Sequence, residues 1–487
     1  MSAFRKLFQQ TFIYGLATVL PRMLSFLLVP LYTAILPVTE YGAISVIFSW
    51  IVLFNVVLAY GMETAFFRFF HKEKDKNLVI STSTVSILFT SFLFFVFAYV
   101  FREGLAALSG IPLEYVTYTI YILVLDALVI IPFAWLRAKE KPIRYAVLKI
   151  INVALNLGLN VFLLVFLPKF TTQNPTGFWN FIYVEGFEIS YIFISMIVAS
   201  AVTLILILPF YIKINYRFNK TLWKEMMHYA FPVLIAGIAF AVNETFDRIL
   251  LLWMLPENSA EEAIGAYSAC YKLAVFMTLF ATAFRMGIEP FFFSRATHKN
   301  APETYALITR YFVAFGAVIL VTVVIFADVL KVILIRDSAY WEAMKIVPLI
   351  LLANFCLGIY HNFSVWYKIT DRTKFGAYIS IVGAFITLAI NFLLIPIMSY
   401  MGSAIATVSA YTVMMLLSYY FGQKHYPIPY AIKKMSLYFL ISIAFSALSF
   451  YVFRNNYFIG IGLWIAFLTL VFIQEKQVLL QLIQFKK

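Results

Sequence analysis

The sequence predicts an all-α polytopic membrane protein of about fourteen transmembrane helices, and three observations carry that expectation. Of 487 residues, 63% are hydrophobic and only 12% are charged, against about 25% charged in soluble domains. The apolar residues fall in runs of about 20, enough for a helix to cross a bilayer, and not in the short alternating segments of a membrane β-barrel. The 37 Lys and Arg residues are also unevenly placed: only Arg102, Lys169, Lys331, Arg336 and Arg454 lie in the connecting segments of one side. The cation-rich side is the cytoplasmic one. Both termini are therefore expected inside, and the net charge of +14 faces anionic inner-leaflet lipid, with no need of a nucleic-acid partner.

Taken in order, the runs cover residues 12–36, 41–68, 79–101, 116–137, 146–167 and 187–211. Arg5 and Lys6 precede the first, which is too long for a signal peptide and lacks a small-residue cleavage pattern. A basic break, Lys213–Lys224, separates these from runs at 229–255, 265–290, 305–330, 343–367, 375–398 and 402–422, followed by 434–453 and 457–474. The expected division is an N-terminal lobe at 1–211, a cytoplasmic linker at 212–228, a C-terminal lobe at 229–422, and two final helices with a tail at 423–487. Connecting segments are short, so no extracytoplasmic domain is expected. Cys270 and Cys356 both sit in apolar runs, and no disulfide framework or zinc site follows.

A weak internal repeat links the halves. Leu36-Pro37 precedes Tyr41-Gly42-Ala43, and Leu255-Pro256 precedes Gly265-Ala266-Tyr267. Both halves start inside, so the six-helix lobes are expected to be parallel repeats about a pseudo-two-fold along the membrane normal. Pro21, Pro30, Pro132 and Pro348 fall within spans, where proline kinks a helix and frees backbone groups. Pro232 reads as a helix-start proline.

Charge inside hydrocarbon is expensive and marks function or a buried pair. Arg22 lies about 15 Å into the first span, near mid-bilayer. The seventh span carries Glu244, Asp247 and Arg248; Glu244 shares a face with Arg248 at four-residue spacing, whereas Asp247 lies at another azimuth. Lys272 and Arg285 share the eighth span on different faces, and Glu289 follows Arg285 by four. Asp126 stands alone in the fourth span, suited to a coupling cation or proton or to a hydrogen bond with a neighbouring helix. Asn354 and His361 share a face in the tenth span as a polar patch. Arg68, Lys149 and Arg310 sit near cytoplasmic ends, where a long side chain snorkels to the interface. Glu63 and Arg68 end the second span as Arg285 and Glu289 end the eighth, which suggests an inner gate pairing Glu63 with Arg285 and Arg68 with Glu289. There is no P-loop and no hydrolase motif, so a secondary transporter or flippase is expected and not an enzyme. No metal site is expected.

Two stretches carry a family resemblance. One runs Leu36-Pro37-Val38-Thr39-Glu40-Tyr41-Gly42-Ala43 and continues at Tyr60-Gly61-Met62-Glu63-Thr64-Ala65-Phe66-Phe67-Arg68. The other is Arg137-Ala138-Lys139-Glu140-Lys141-Pro142. Over the first twelve spans the chain resembles the polysaccharide flippases of the multidrug/oligosaccharidyl-lipid/polysaccharide exporter superfamily. The resemblance implies two lobes in a V, alternating access, a bacterial inner membrane, and a polyprenyl-pyrophosphate-linked oligosaccharide as cargo for surface polysaccharide such as lipopolysaccharide. It implies cationic cavity residues, for which Arg22, Arg248, Arg285 and Lys272 are the candidates, with arginine matched to phosphate oxygens. Coupling, where present, would be to H+ or Na+, and association with a polysaccharide polymerase and glycosyltransferases is a further expectation. Acidic Glu63, Asp126, Glu244, Asp247 and Glu289 leave the net charge of the cavity open. Alternatives are a cation-coupled multidrug exporter of the same superfamily and a peptidoglycan-precursor flippase, whose two extra helices would match spans thirteen and fourteen. A polymerase or ligase lacks the large outer loop such enzymes need, and the intramembrane charges argue against a bare scaffold.

Overall fold

The computed structural model describes residues 26–295, 300–454 and 456–484. Within them the chain is helical throughout: α1 (Leu28–Ile35), α2 (Val38–Ala59), α3 (Met62–Lys72), α4 (Lys76–Val100), α5 (Arg102–Ser109), α6 (Leu113–Leu128), α7 (Ile130–Ala138), α8 (Pro142–Val161), α9 (Leu167–Gln173), α10 (Glu188–Ile212) and α11 (Lys220–Met254). Then follow α12 (Glu257–Tyr271), α13 (Val275–Arg295), α14 (Ala301–Ile325), α15 (Ala327–Leu334), α16 (Val347–Phe363), α17 (Val365–Ile369), α18 (Lys374–Met398), α19 (Tyr400–His425), α20 (Ile432–Ala447) and α21 (Tyr457–Gln484). Thirteen stretches among the described residues are long and apolar enough to span a membrane. Most of the first expected span precedes residue 26, so about fourteen spans is the right number for the chain.

The breaks in the spans have identifiable causes, and of those that follow the one at Pro132 is expected from the sequence. Tyr60 and Gly61 both take the left-handed conformation, at φ 32° and 72°, and break the second span between α2 and α3. Pro132 has no N–H for the Leu128 carbonyl four residues before it; the helix breaks at Val129, and the Tyr211 hydroxyl donates to the freed Leu128 oxygen instead. The fifth span contains a π-turn at Phe162–Phe166. The eighth is interrupted by a 3-10 turn at Lys272–Ala274.

One expectation changes. Pro232 is interior to α11, because that helix starts at Lys220, where the Asn219 side chain accepts from Leu222 N at 2.9 Å as its cap. The segment 212–228 is held at its C-terminal end. Asn219 N donates to Thr82 Oγ1 at 3.3 Å and Trp223 Nε1 to Ser86 Oγ at 2.9 Å, tying it to α4.

The chain forms two compact units, Met1–Gly265 and Ala266–Lys487. The seventh span, α11, belongs to the first unit, where it packs along α2 and α3. Glycine permits the approach: a Cβ on Gly61 would sit 2.4 Å from the Ala230 carbonyl oxygen, and one on Gly237 would sit 2.8 Å from Val56. The start of α12 crosses α2 more closely still. A Cβ on Gly42 would lie 1.9 Å from the Glu261 oxygen, and one on Gly265 would lie 1.9 Å from the Val38 oxygen. Each glycine thus meets the residue four before the other.

In the second unit the last two spans pack on α14. Buried Glu475 of α21 receives Arg310 at 3.0 Å, Lys434 at 3.0 Å and the Tyr438 hydroxyl at 2.7 Å. Beyond the opposite ends of these spans, Arg454 grips Asp328 through Nε at 2.9 Å and Nη2 at 2.8 Å. Arg310 therefore does not snorkel; a buried carboxylate from a distant helix holds it.

Candidate functional site

Each unit holds its own set of intramembrane charges. In the first, a cavity of about 310 Å³ opens among α2, α6, α7, α8 and α10. Its polar lining is Asn55, Asp126, Lys149, Asn152, Ser200 and Thr203. Ser200 Oγ donates to Asp126 Oδ1 at 2.9 Å, and Asn152 Nδ2 donates to Thr203 Oγ1 at 3.0 Å. Lys149 Nζ lies 4.3 Å from the centre of the Phe133 ring. Lys149 is thus another correction: its ammonium is turned into the bundle, because the cavity offers a carboxylate, amides and an aromatic face. A second polar layer adjoins on the same helix. Tyr32 OH donates to Asn160 Oδ1 at 2.8 Å, and Asn160 Nδ2 reaches the Asn156 side chain at 2.9 Å.

The spacing on α8 was a readable signal. Lys149, Asn152, Asn156 and Asn160 recur every three or four residues, a polar stripe on one helix face. Its partners Asn55, Ser200 and Thr203 carry no comparable pattern.

The acids expected around a central cavity are largely committed elsewhere. Glu63 accepts from Arg137, so the two stretches that carry the family resemblance meet in one ion pair. The expected partner Arg285 is therefore not the one that Glu63 takes. Arg137 wins because α3 and α7 pack together, with Glu63 and Arg137 on facing turns. Arg68 lies 4.3 Å over the Tyr229 ring. Arg248 Nη1 bonds Asp247 Oδ1 at 2.8 Å and the Glu244 carbonyl at 3.2 Å. That reverses the expected choice of carboxylate. Asp247 and Arg248 are both buried whereas Glu244 is exposed, and a buried guanidinium requires the charge that is buried with it.

In the second unit, Lys272 is exposed on the 3-10 turn that interrupts its span. Arg285, half-buried on α13, lies within electrostatic reach of His361 of α16, which Lys368 of α17 also reaches. Among the described residues no carboxylate is paired with it. Asn354, seven residues before His361 on the same helix, is buried and donates to the Ile350 carbonyl at 2.9 Å. Arg22 and the Glu289 side chain lie outside the described residues. No cluster of three or more His, Cys, Asp or Glu suited to a metal occurs among the described residues.

Apolar helices packed around buried charges define a polytopic helical membrane fold, and comparison with solved structures agrees. The chain is similar to a structure titled lipid II flippase MurJ, inward closed conformation, with a TM-score of 0.70 and 14% identity over 95% of this chain and 99% of that one. It is also similar to an inward-facing multidrug resistance MATE family transporter of the MOP superfamily, with a TM-score of 0.64 and 11% identity over 88% of this chain and 95% of that one. No curated protein matches. The model of the family described as polysaccharide biosynthesis protein matches residues 7–292. The chain belongs to that family, and family and fold together support a flippase or exporter in a multi-pass membrane protein.

Proposed function

We propose that the chain flips a polyprenyl-pyrophosphate-linked oligosaccharide from the inner to the outer leaflet of a bacterial inner membrane, by alternating access, for surface polysaccharide biosynthesis. The observation that carries this reading is the company Arg285 keeps. The group within its electrostatic reach is a base, His361, whereas Glu63, Asp247 and Glu475 are each bound to a cation. Arg285 has no carboxylate partner among the described residues. A pyrophosphate leaving the headgroup region loses water and needs charge-assisted donors, which a guanidinium fork supplies. Arg248, held by Asp247, is a structural cation in this reading. Lys272 and Arg22 remain substrate candidates.

The test is flipping of a fluorescent polyprenyl-pyrophosphate glycolipid in proteoliposomes. Arg285→Ala is expected to lower the rate at least tenfold, and Arg285→Lys to retain part of it. Unchanged flipping by Arg285→Ala at equal reconstitution rejects the site. A peptidoglycan-precursor flippase shares the pyrophosphate chemistry and the likeness to MurJ; competition between the two glycolipids separates the readings.

A further inference from the structure

We infer that the cavity of the first unit is a proton-exchange site with a built-in counter-cation: Asp126 takes up and releases the proton, and the Lys149 ammonium stands where a metal cation would otherwise bind. The inference rests on the transporter reading, since exchange at Asp126 would be the means by which such a protein draws on a proton gradient.

The lining argues for it. Asn55, Asn152, Ser200 and Thr203 supply neutral oxygens and N–H groups around one carboxylate, the kind of oxygen-rich set that suits a hard cation. One positive charge is already tethered there. A metal ion would put two positive charges against one negative in a low-dielectric bundle, where like charges repel strongly. A proton avoids this, because it joins the carboxylate as a covalent O–H bond. Asp126 accepts from Ser200 at one oxygen and takes a further hydrogen bond from the Asn55 side chain, and no ion pair ties it to Lys149 among the described residues.

The cavity's 310 Å³ is room for several waters at about 30 Å³ each. The step is balanced: a hydronium in the cavity gives its proton to an Asp126 oxygen and leaves as water, and release is the reverse. Lys149 stays an ammonium throughout.

Other charged groups do not compete. Glu63 of α3 and Arg137 of α7 lie within reach of Lys149 but bind each other and sum to zero. Asp126 is the acid of α6 and Lys149 the base of α8 that face the cavity, while α2 and α10 contribute Asn55, Ser200 and Thr203. Packed alongside, α4 has no charged residue after Lys76. The Asp126–Lys149 pair is therefore neutral when ionised and carries one positive charge when protonated. That difference makes the exchange responsive to membrane potential as well as to pH.

Infrared difference spectroscopy on the purified full chain, stepping pH in choline chloride and then in sodium chloride, tests this directly. The wild type is expected to show a protonated-carboxyl band that titrates identically in both salts. Asp126→Asn should lose the band. The double variant Asp126→Asn/Lys149→Met, charge-balanced and so protected from misfolding through an unpaired lysine, should lose it too. Lys149→Met alone should acquire a sodium-dependent shift of the titration. A band that survives in both Asp126 variants, or a wild-type titration that moves with sodium, overturns the inference. Failure of glycolipid flipping with the band and its sodium response as expected would fault the flippase reading and leave this one supported. Proton-gradient-driven flipping that persists in the double variant would fault this one alone.

Discussion

At the scale of single residues, the question is which partner a charge takes. The Glu63–Arg137 pair is half-exposed, with side chains 44% and 37% accessible, so it contributes no more than ~1 kcal/mol. Its value lies in register, joining α3 to α7. Reversing both charges, Glu63→Arg with Arg137→Glu, is expected to restore the membrane abundance that either single reversal lowers; a double variant no better than the worse single one rejects the pairing. Asp328 lies past the end of the spanning helix Ala301–Ile325, which is shorter than the apolar run, and makes a pH prediction. Hydrogen bonds from Arg454, aided by Lys331, hold its carboxyl down at about 2, against an ordinary 3.8. A depressed acid stabilises the fold above its unfolded value, and that stabilisation fades as pH falls from about 4 to about 2. Asp328 is partly exposed, so screening limits the contribution to roughly 1–2 kcal/mol. Thermal melting of Asp328→Asn should fall below wild type near neutral pH, and the gap should close towards about pH 2. A gap that widens with acid contradicts the assignment.

At the scale of elements, close backbone approach decides what the glycines do. The Gly42 and Gly265 crossing leaves no space for a Cβ, since 1.9 Å to a carbonyl oxygen is far inside van der Waals contact. Gly42→Ala and Gly265→Ala should each destabilise by about 1–3 kcal/mol, the usual penalty for overpacking. Gly104 in α5 has nothing within 4 Å of an added Cβ, so Gly104→Ala should be neutral or stabilising by up to about 1 kcal/mol. Melting curves followed by size-exclusion chromatography would order the three; equal loss at Gly104 removes the steric explanation. The fourth span follows similar logic. With Pro132→Ala the Leu128 carbonyl regains a helical donor, and the Tyr211 hydroxyl loses an acceptor, so Tyr211→Phe should be milder in the Pro132→Ala background than in wild type. A double-mutant cycle measures that coupling.

For the whole molecule, the uneven distribution of Lys and Arg predicts that Asn174 lies outside and Lys220 inside. Both native cysteines are buried, so single cysteines introduced at these positions report cleanly. A membrane-impermeant maleimide applied to intact spheroplasts should label Asn174→Cys and spare Lys220→Cys until the membrane is opened. Labelling of both from outside sinks the orientation. With no nucleotide motif in the chain, flipping in proteoliposomes is expected without ATP.

Fold class, span number and the kink at Pro132 were legible because they depend on local quantities: apolar run length, side-chain period and a missing N–H. The same locality explains the misreading of Pro232, since the polar helical turns before it carry no apolar signal. Partner choice was not legible. Arg137 for Glu63, Asp247 for Arg248, Glu475 for Arg310 and the cavity for Lys149 each depend on which helices lie side by side and which face is buried. A snorkelling lysine and a lysine aimed into a bundle have the same sequence neighbours, and only the Lys149–Asn160 stripe hinted at the difference. By itself the sequence determined that this chain spans the membrane many times with charge kept inside it, because hydrocarbon admits few alternatives. The tertiary structure decided which charges cancel and which remain available, because a buried charge is defined by the group packed against it.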